Sequence, residues 1–158
     1  MTLIRSIGQQ WSKSILAHRL GLTLQHNEVV QQLFGGATSL TTVTNTIAAL
    51  TFSEGAPLWL PALESGDDTP LTDSVTLNCL FAACRLLFIK ELEQGELNQS
   101  EHLVLAIGFQ WSQSLINKDT DATLTADSKQ LCNLLQTIHR QLEQVRTDKR
   151  ASNRNMGS

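Results

Sequence analysis

Aromatic residues are scarce in this 158-residue sequence: they make up 5% of it, and there is no tyrosine. A surface that binds single-stranded nucleic acid by stacking on its bases needs several aromatic rings. The sequence therefore argues against a stacking platform, and we expect no specific nucleic-acid partner.

Long apolar runs are also missing. The longest tract, LNCLFAACRLLFI, is interrupted by Arg85 and is the length of a core helix, whereas a membrane span needs about 20 apolar residues. The N-terminal stretch MTLIRSIGQQWS has no apolar segment of signal-peptide length. We expect a soluble, cytoplasmic protein that has no membrane partner.

Cysteine is limited to three residues, an odd number without a CxxC spacing: Cys79, Cys84 and Cys132. All three have apolar neighbours in the sequence, which favours buried thiols in a reducing compartment over a disulfide framework or a zinc site.

Residues that support catalysis or metal binding show no recognisable spacing. The four histidines are dispersed, no GxSxG or P-loop pattern occurs, and residues 119–127 match only part of a calcium loop. Leu124 stands where that loop needs glycine, and Gln130 where it needs glutamate. We expect no metal, no cofactor and a protein that is not an enzyme.

Positive charge is absent from residues 20–84, a segment that contains six acidic residues. Residues 1–19 carry three basic residues and no acid, so the net charge of −3 hides a segregation of charge. An acidic segment of this kind favours a basic partner protein, although solvated acidic loops would give the same pattern.

Helical periodicity dominates what the sequence does contain. Ile4, Ile7, Trp11 and Ile15 form one stripe of an amphipathic helix over residues 2–18. Further helices are predicted to start near Asn27, at Thr69–Pro70, at the capping box Asn98–Glu101, and at Asp127.

The ends of two helices can also be predicted. Gly95 stops the apolar helix that reaches Gln94, a helix that we place in the middle of the fold. The last helix is expected to end near Arg146, before a polar, disordered tail over residues 147–158. Residues 39–52 have helical spacing, but their threonines and valine suit a strand equally well; we assign them to a helix.

One decapeptide occurs twice. IGQQWSKSIL, residues 7–16, returns as IGFQWSQSLI, residues 107–116, with six identical positions. In both copies a Thr–Leu pair and then a capping residue follow, so each copy is typical of a helix–link–helix hairpin. We interpret the two as an internal duplication.

Both copies place a glycine four residues before a serine, beside a tryptophan. A helical glycine costs about 1 kcal/mol relative to alanine, and close approach of a neighbouring helix would offset that cost. An alternative is a ligand pocket near the two tryptophans. The residues concerned are Gly8, Trp11, Ser12, Gly108, Trp111 and Ser112.

Residues 53–70 hold all three prolines of the chain, which makes this segment the main irregular connection. Two of the prolines bracket an apolar stretch with a tryptophan, which either covers the core or binds a partner. The residues expected to bind a partner are Leu58, Trp59, Leu60, Asp67 and Asp68.

Taken together, these patterns predict an all-α, compact bundle of about five or six helices with two related αα-hairpins, as one domain over residues 1–146. We expect a non-enzymatic protein–protein interaction module that acts as a cytoplasmic adaptor, regulatory or accessory subunit. The alternative is a helical bundle with a small-molecule or substrate pocket near Trp11 and Trp111, with dispersed catalytic residues. Self-association is left open.

Overall fold

A computed structural model of the chain describes residues 15–25, 27–33, 39–53, 73–118 and 125–156. Within these ranges the chain forms helices and no strand. The helices are α1 over residues 15–24, α2 Glu28–Leu33, α3 Leu40–Ser53, α4 Asp73–Gln94, α5 Gln99–Lys118 and α6 Ala126–Met156. The prediction of an all-α bundle is confirmed, and residues 39–52 are helical.

Helix α4 lies in the middle of the bundle, as predicted, because it packs against α3, α5 and α6. Helix α5 runs antiparallel to α4, since Lys90 contacts Glu101 near the end of α4 and Cys84 contacts Gly108 farther back. Helix α6 runs in the same direction as α4. Its Arg146 lies beside Glu91, one turn after Leu87 of α4.

The core consists of side chains that all six helices bury almost completely, and α2 contributes Val30. Leu16, Leu20 and Leu24 follow one another at intervals of four on α1, so they form a single buried face. Helices α3 to α6 complete the core with Val43, Ile47, Leu77, Leu80, Leu87, Val104, Ile107, Leu135 and Leu142. Complete burial of one such leucine is worth about 1.5–3 kcal/mol.

Three helix boundaries confirm the local signals in the sequence. The Asn27 side chain accepts hydrogen bonds from the backbone N–H groups of Val29 and Val30 at 2.9 and 3.2 Å, and so caps α2. Asn98 and Glu101 form a reciprocal capping box at the start of α5. Gly95 adopts φ +84° directly after α4, the left-handed conformation in which glycine ends a helix.

The C-terminal end that the sequence predicts for the first helix is wrong. The periodicity placed the end of the helix at residue 18, but α1 continues to residue 24. The reason is that Leu20 and Leu24 extend the buried face, which stabilises two further turns.

Both predicted ends of the last helix are also wrong. Thr125 caps α6, because its hydroxyl accepts the backbone N–H of Ser128 at 3.1 Å, and Asp127 lies inside the first turn. The helix then continues to Met156, beyond the predicted end at Arg146. The division of the chain into a domain over residues 1–146 and a tail stays a prediction.

The three cysteines are buried, as expected, and they form no disulfide bond within the described ranges. Burial raises the pKa of the Cys79 thiol to about 12, although a hydrogen bond with Thr51 lowers it in part. Burial also raises the pKa of Cys84. These thiols are therefore neutral and unreactive at neutral pH.

Among the helices within the described ranges, none combines the length and the apolar character that a bilayer-spanning segment requires.

Candidate binding groove

A groove of about 490 Å³ lies between α2, α5 and α6. Five of its ten lining residues carry carboxamide side chains, and they come from all three helices: Gln32 from α2, Gln110, Gln113 and Asn117 from α5, and Gln136 from α6. We call this feature the amide groove.

The amide groove forms along α5 because that helix has two different faces. Ile107, Trp111 and the residues around them are buried, whereas Gln110, Gln113 and Asn117 are exposed. The three amides are spaced at i, i+3 and i+7, which places them on one side of the helix.

The wall between α5 and α6 is fixed by hydrogen bonds. The Gln136 side-chain amide donates to the Phe109 carbonyl and to the Ser112 hydroxyl, both at 2.8 Å. The same hydroxyl donates to the Phe109 carbonyl at 3.0 Å. Ser112 is fully buried, so these bonds satisfy a polar group that would otherwise be costly to bury.

An aromatic contact lies beside this network. The Phe109 ring stacks on His139 with a centroid distance of 4.5 Å and an interplanar angle of 15°. Phe109 itself is buried, so His139 presents the outer surface of the pair to the groove. Both rings line the groove, which gives it a flat surface next to its amides.

Several amides remain open to a ligand. The side chains of Gln32 and Gln110 make no hydrogen bond within the part of the chain that the structure describes. Gln113 donates to the Asn117 side chain at 3.0 Å, which leaves the carbonyl oxygen of Gln113 and the amino group of Asn117 available. The groove therefore offers both donors and acceptors.

The groove carries few groups that could catalyse a reaction. His139 and Lys118 are the titratable residues in its lining, and Ser114 supplies a hydroxyl. Ser114 makes no hydrogen bond to His139, and the imidazole lies 3.7 Å from the Glu143 carboxylate. A hydroxyl nucleophile needs a base within hydrogen-bonding distance, and here that pairing is not formed. Across the described ranges, no cluster of three or more histidine, cysteine or acidic residues could hold a metal ion.

A smaller hollow, of about 370 Å³, lies between α1 and α3. Its lining residue Thr44 donates its hydroxyl to the Thr41 carbonyl of its own helix at 3.0 Å. That hydrogen bond engages the hydroxyl proton of Thr44.

The second copy of the repeated decapeptide lies in α5. Gly108 is buried, and a Cβ atom placed on it would lie 2.6 Å from the Cys84 sulfur. Glycine at this position therefore does allow close packing, and the neighbour is a side chain of α4. Trp111, 4% exposed, belongs to the core, and neither it nor Gly108 lines the amide groove.

The first copy and the proline-rich segment cannot be compared in the same way. Gly8, Trp11, Ser12, Leu58, Trp59, Leu60, Asp67 and Asp68 lie outside the described residues. The internal repeat is not confirmed, and the predicted partner-binding residues stay predictions.

Sequence reasoning missed the residues of the amide groove. The signal for its α5 side was present, since the polar stripe at residues 110, 113 and 117 has helical spacing. Gln32 and Gln136 gave no signal, because only the packing of three helices brings them to the same groove.

No protein-family model matches the chain, and neither a curated protein nor a solved structure shows significant similarity to it.

Proposed function

We propose that the protein is a non-enzymatic protein–protein interaction module, and that its amide groove binds an extended segment of a partner protein. The observation that carries the proposal is the lining: five carboxamides from three helices surround one groove. Carboxamides are poor acids, bases and nucleophiles, so a groove built from them is suited to recognition rather than to catalysis.

A peptide backbone is the ligand that this lining fits best. Each peptide unit has one N–H donor and one carbonyl acceptor, and a carboxamide side chain offers the same two functions. Among the described residues, the Gln32 and Gln110 side chains have no hydrogen-bond partner for either function, and they lie on different helices of the groove. An extended segment that lies between them would exchange hydrogen bonds with both walls.

The ring surface beside the amides supports the same ligand. The stacked pair of Phe109 and His139 provides a flat contact for an apolar side chain of the bound segment. Lys118 contributes one positive charge to the lining, which is too little for an electrostatic partner. We therefore expect the binding to depend weakly on salt.

The proposal is tested by affinity capture from a lysate of the source cells with three forms of the full chain. The first is the wild type, the second the double variant Gln32→Ala, Gln110→Ala, and the third the matched control Gln130→Ala, Gln141→Ala. The control pair is exposed on α6 and does not line the groove.

We expect a protein that the wild type and the control retain and that the groove variant loses. The retained protein should then bind to the purified wild type with a 1:1 stoichiometry. Equal capture by all three forms, or no specific capture by any of them, would show that the amide groove is not an interaction surface.

A further inference from the structure

The end of the bundle where α4 stops and α5 begins contains a separate cavity of about 410 Å³. We call it the end cavity. Three basic residues of α6, Arg146, Lys149 and Arg150, line it, and His102 of α5 lines it as well. It has no residue in common with the amide groove.

Arg146 is fixed in position by a carboxylate. Its Nε and Nη2 atoms donate to the two oxygens of Glu91 at 3.0 and 2.8 Å, and the Glu91 side chain is only 6% exposed. A guanidinium has five N–H donors in a rigid plane, and among the described residues two of those of Arg146 are engaged, both by Glu91. Because two hydrogen bonds to Glu91 hold one edge of the Arg146 guanidinium, the opposite edge has a fixed orientation.

Lys149 and Arg150 are exposed, and neither side chain forms an ion pair or a hydrogen bond within the described part of the chain. Lys149 reaches toward the end of α4: a Cβ atom on Gly95 would lie 4.0 Å from its Nζ. The two cations therefore remain available for an external anion.

The charges around the end cavity leave an excess of positive charge. The lining has three cations and two carboxylates, Glu91 and Glu96, and Arg146 already neutralises Glu91. Lys149 and Arg150 carry two positive charges, and Glu96 carries one negative charge. The lining therefore has a net charge of +1. The lining thus combines an oriented guanidinium edge with two exposed cations, as in sites that bind phosphate groups.

We propose that the end cavity binds a small phosphate-bearing molecule, with the phosphate held by Arg146, Lys149 and Arg150. Arg146 supplies the fixed edge, and the other two side chains close over the anion.

The test is a titration of the full chain, labelled with ¹⁵N, with inorganic phosphate and separately with phenyl phosphate. Chloride keeps the ionic strength constant. We expect saturable shifts of the backbone signals of residues 95–102 and 146–150. Tighter binding of phenyl phosphate assigns the site to a phosphomonoester, and equal or tighter binding of inorganic phosphate assigns it to the free ion.

The double variant Lys149→Gln, Arg150→Gln should raise the dissociation constant about tenfold or more, as expected when charged hydrogen bonds are lost. The control Lys129→Gln, Arg140→Gln removes the same charge from α6 outside the cavity and should change the dissociation constant less than about twofold. All four side chains are exposed, so both variants should fold. Absence of saturable shifts, or equal weakening in the two variants, overturns the proposal.

Discussion

The two halves of α5 are attached to the bundle by different kinds of contact. In the N-terminal half, Glu101 accepts a hydrogen bond from the Lys90 ammonium group at 2.6 Å and completes the capping box with Asn98. From the middle of the helix onward, the absence of a side chain at Gly108 makes room for the Cys84 thiol, and Gln136 bonds to Phe109 and Ser112.

This difference explains why the two ends of the bundle present different chemistry. Charged side chains that hold the helices together at one end also create the end cavity, with Glu91 and Arg146 in its lining. Uncharged packing and carboxamides hold the helices at the other end, and the same kind of group lines the amide groove. In each half, the contacts that stabilise the fold also determine which ligand the surface can bind.

The largest expected effect is at the packed half. Gly108→Leu places a bulky side chain where even a Cβ atom would lie 2.6 Å from the Cys84 sulfur and 3.5 Å from Leu135. We expect the free energy of unfolding to fall by about 3 kcal/mol through overpacking. Urea unfolding followed by circular dichroism measures the change.

A double-mutant cycle tests whether the contact with Cys84 causes the loss of stability when Gly108 is replaced. Gly108→Ala should cost about 1 kcal/mol in the wild type, because overpacking exceeds the gain in helix propensity. In the Cys84→Ala background the sulfur is gone, and the same substitution should be stabilising by about 1 kcal/mol. Additive effects of the two substitutions would show that Cys84 does not fill the space beside Gly108.

At the charged half, Arg146→Ala should lower the free energy of unfolding by about 2 kcal/mol. The substitution leaves the buried Glu91 carboxylate unpaired, which costs about 3–5 kcal/mol for fully buried pairs; one third of the Arg146 side chain is exposed, so the cost is smaller here. Arg140→Ala, at an exposed site on the same helix, should change the stability by less than about 0.5 kcal/mol. Equal costs for the two variants would mean that the pair with Glu91 contributes little.

The capping box gives a smaller effect. Asn98→Ala removes the acceptor for the Glu101 backbone N–H, so we expect a loss of about 1 kcal/mol. Asn117→Ala, in the exposed last turn of the same helix, serves as the control and should lie within about 0.5 kcal/mol of the wild type. Chemical unfolding of both variants under one set of conditions makes the comparison.

The smallest expected effects are those of pH on the free energy of unfolding. The carboxylates at the charged end of the bundle matter at low pH, and the buried thiols matter at high pH. Arg146 hydrogen-bonds to Glu91 and lowers its pKa. Burial raises the pKa of Glu101, but the hydrogen bonds from Lys90 and from the Asn98 backbone outweigh it and lower the pKa overall. The folded pKa values lie below those of the unfolded chain, so this stabilisation is complete above about pH 4.3 and is lost as the pH falls further.

The buried thiols act at high pH. Because their pKa values are raised in the folded state, their contribution is complete below about pH 8.5 and is lost as the pH rises toward 12. Unfolding midpoints measured from pH 3 to 11 should therefore fall at both ends of the range. Glu91→Gln should flatten the acidic limb alone, and Cys84→Ala the alkaline limb alone; a change in the opposite limb would contradict these assignments.

Local signals in the sequence predicted much of the fold. The caps at Asn27 and Asn98 and the stop at Gly95 each depend on residues within one helical turn, so the sequence alone identifies them. The start of α6 was misassigned because Thr125 and Asp127 are both good capping residues. Its end was misassigned because the exposed last turns have no apolar stripe, although arginine, lysine and alanine favour helix there.

The contacts between helices could not be predicted in the same way. The interior glycine at position 108 indicated a close neighbour, but only the structure shows that the neighbour is Cys84. The amides of α5 formed a visible stripe, whereas their partners Gln32 and Gln136 lie 78 residues below and 26 residues above Gln110 in the chain. A binding surface assembled from three helices is a property of tertiary packing.

Site-specific photo-crosslinking tests the central claim, that the amide groove binds a partner protein, most directly. A benzophenone side chain is introduced at Gln113 inside the groove, or at Gln130 outside it, and the full chain is irradiated in the source cells. If a partner protein binds in the amide groove, position 113 gives a covalent adduct with one partner protein and position 130 gives none. Adducts of equal yield from both positions, or none from position 113, would contradict it.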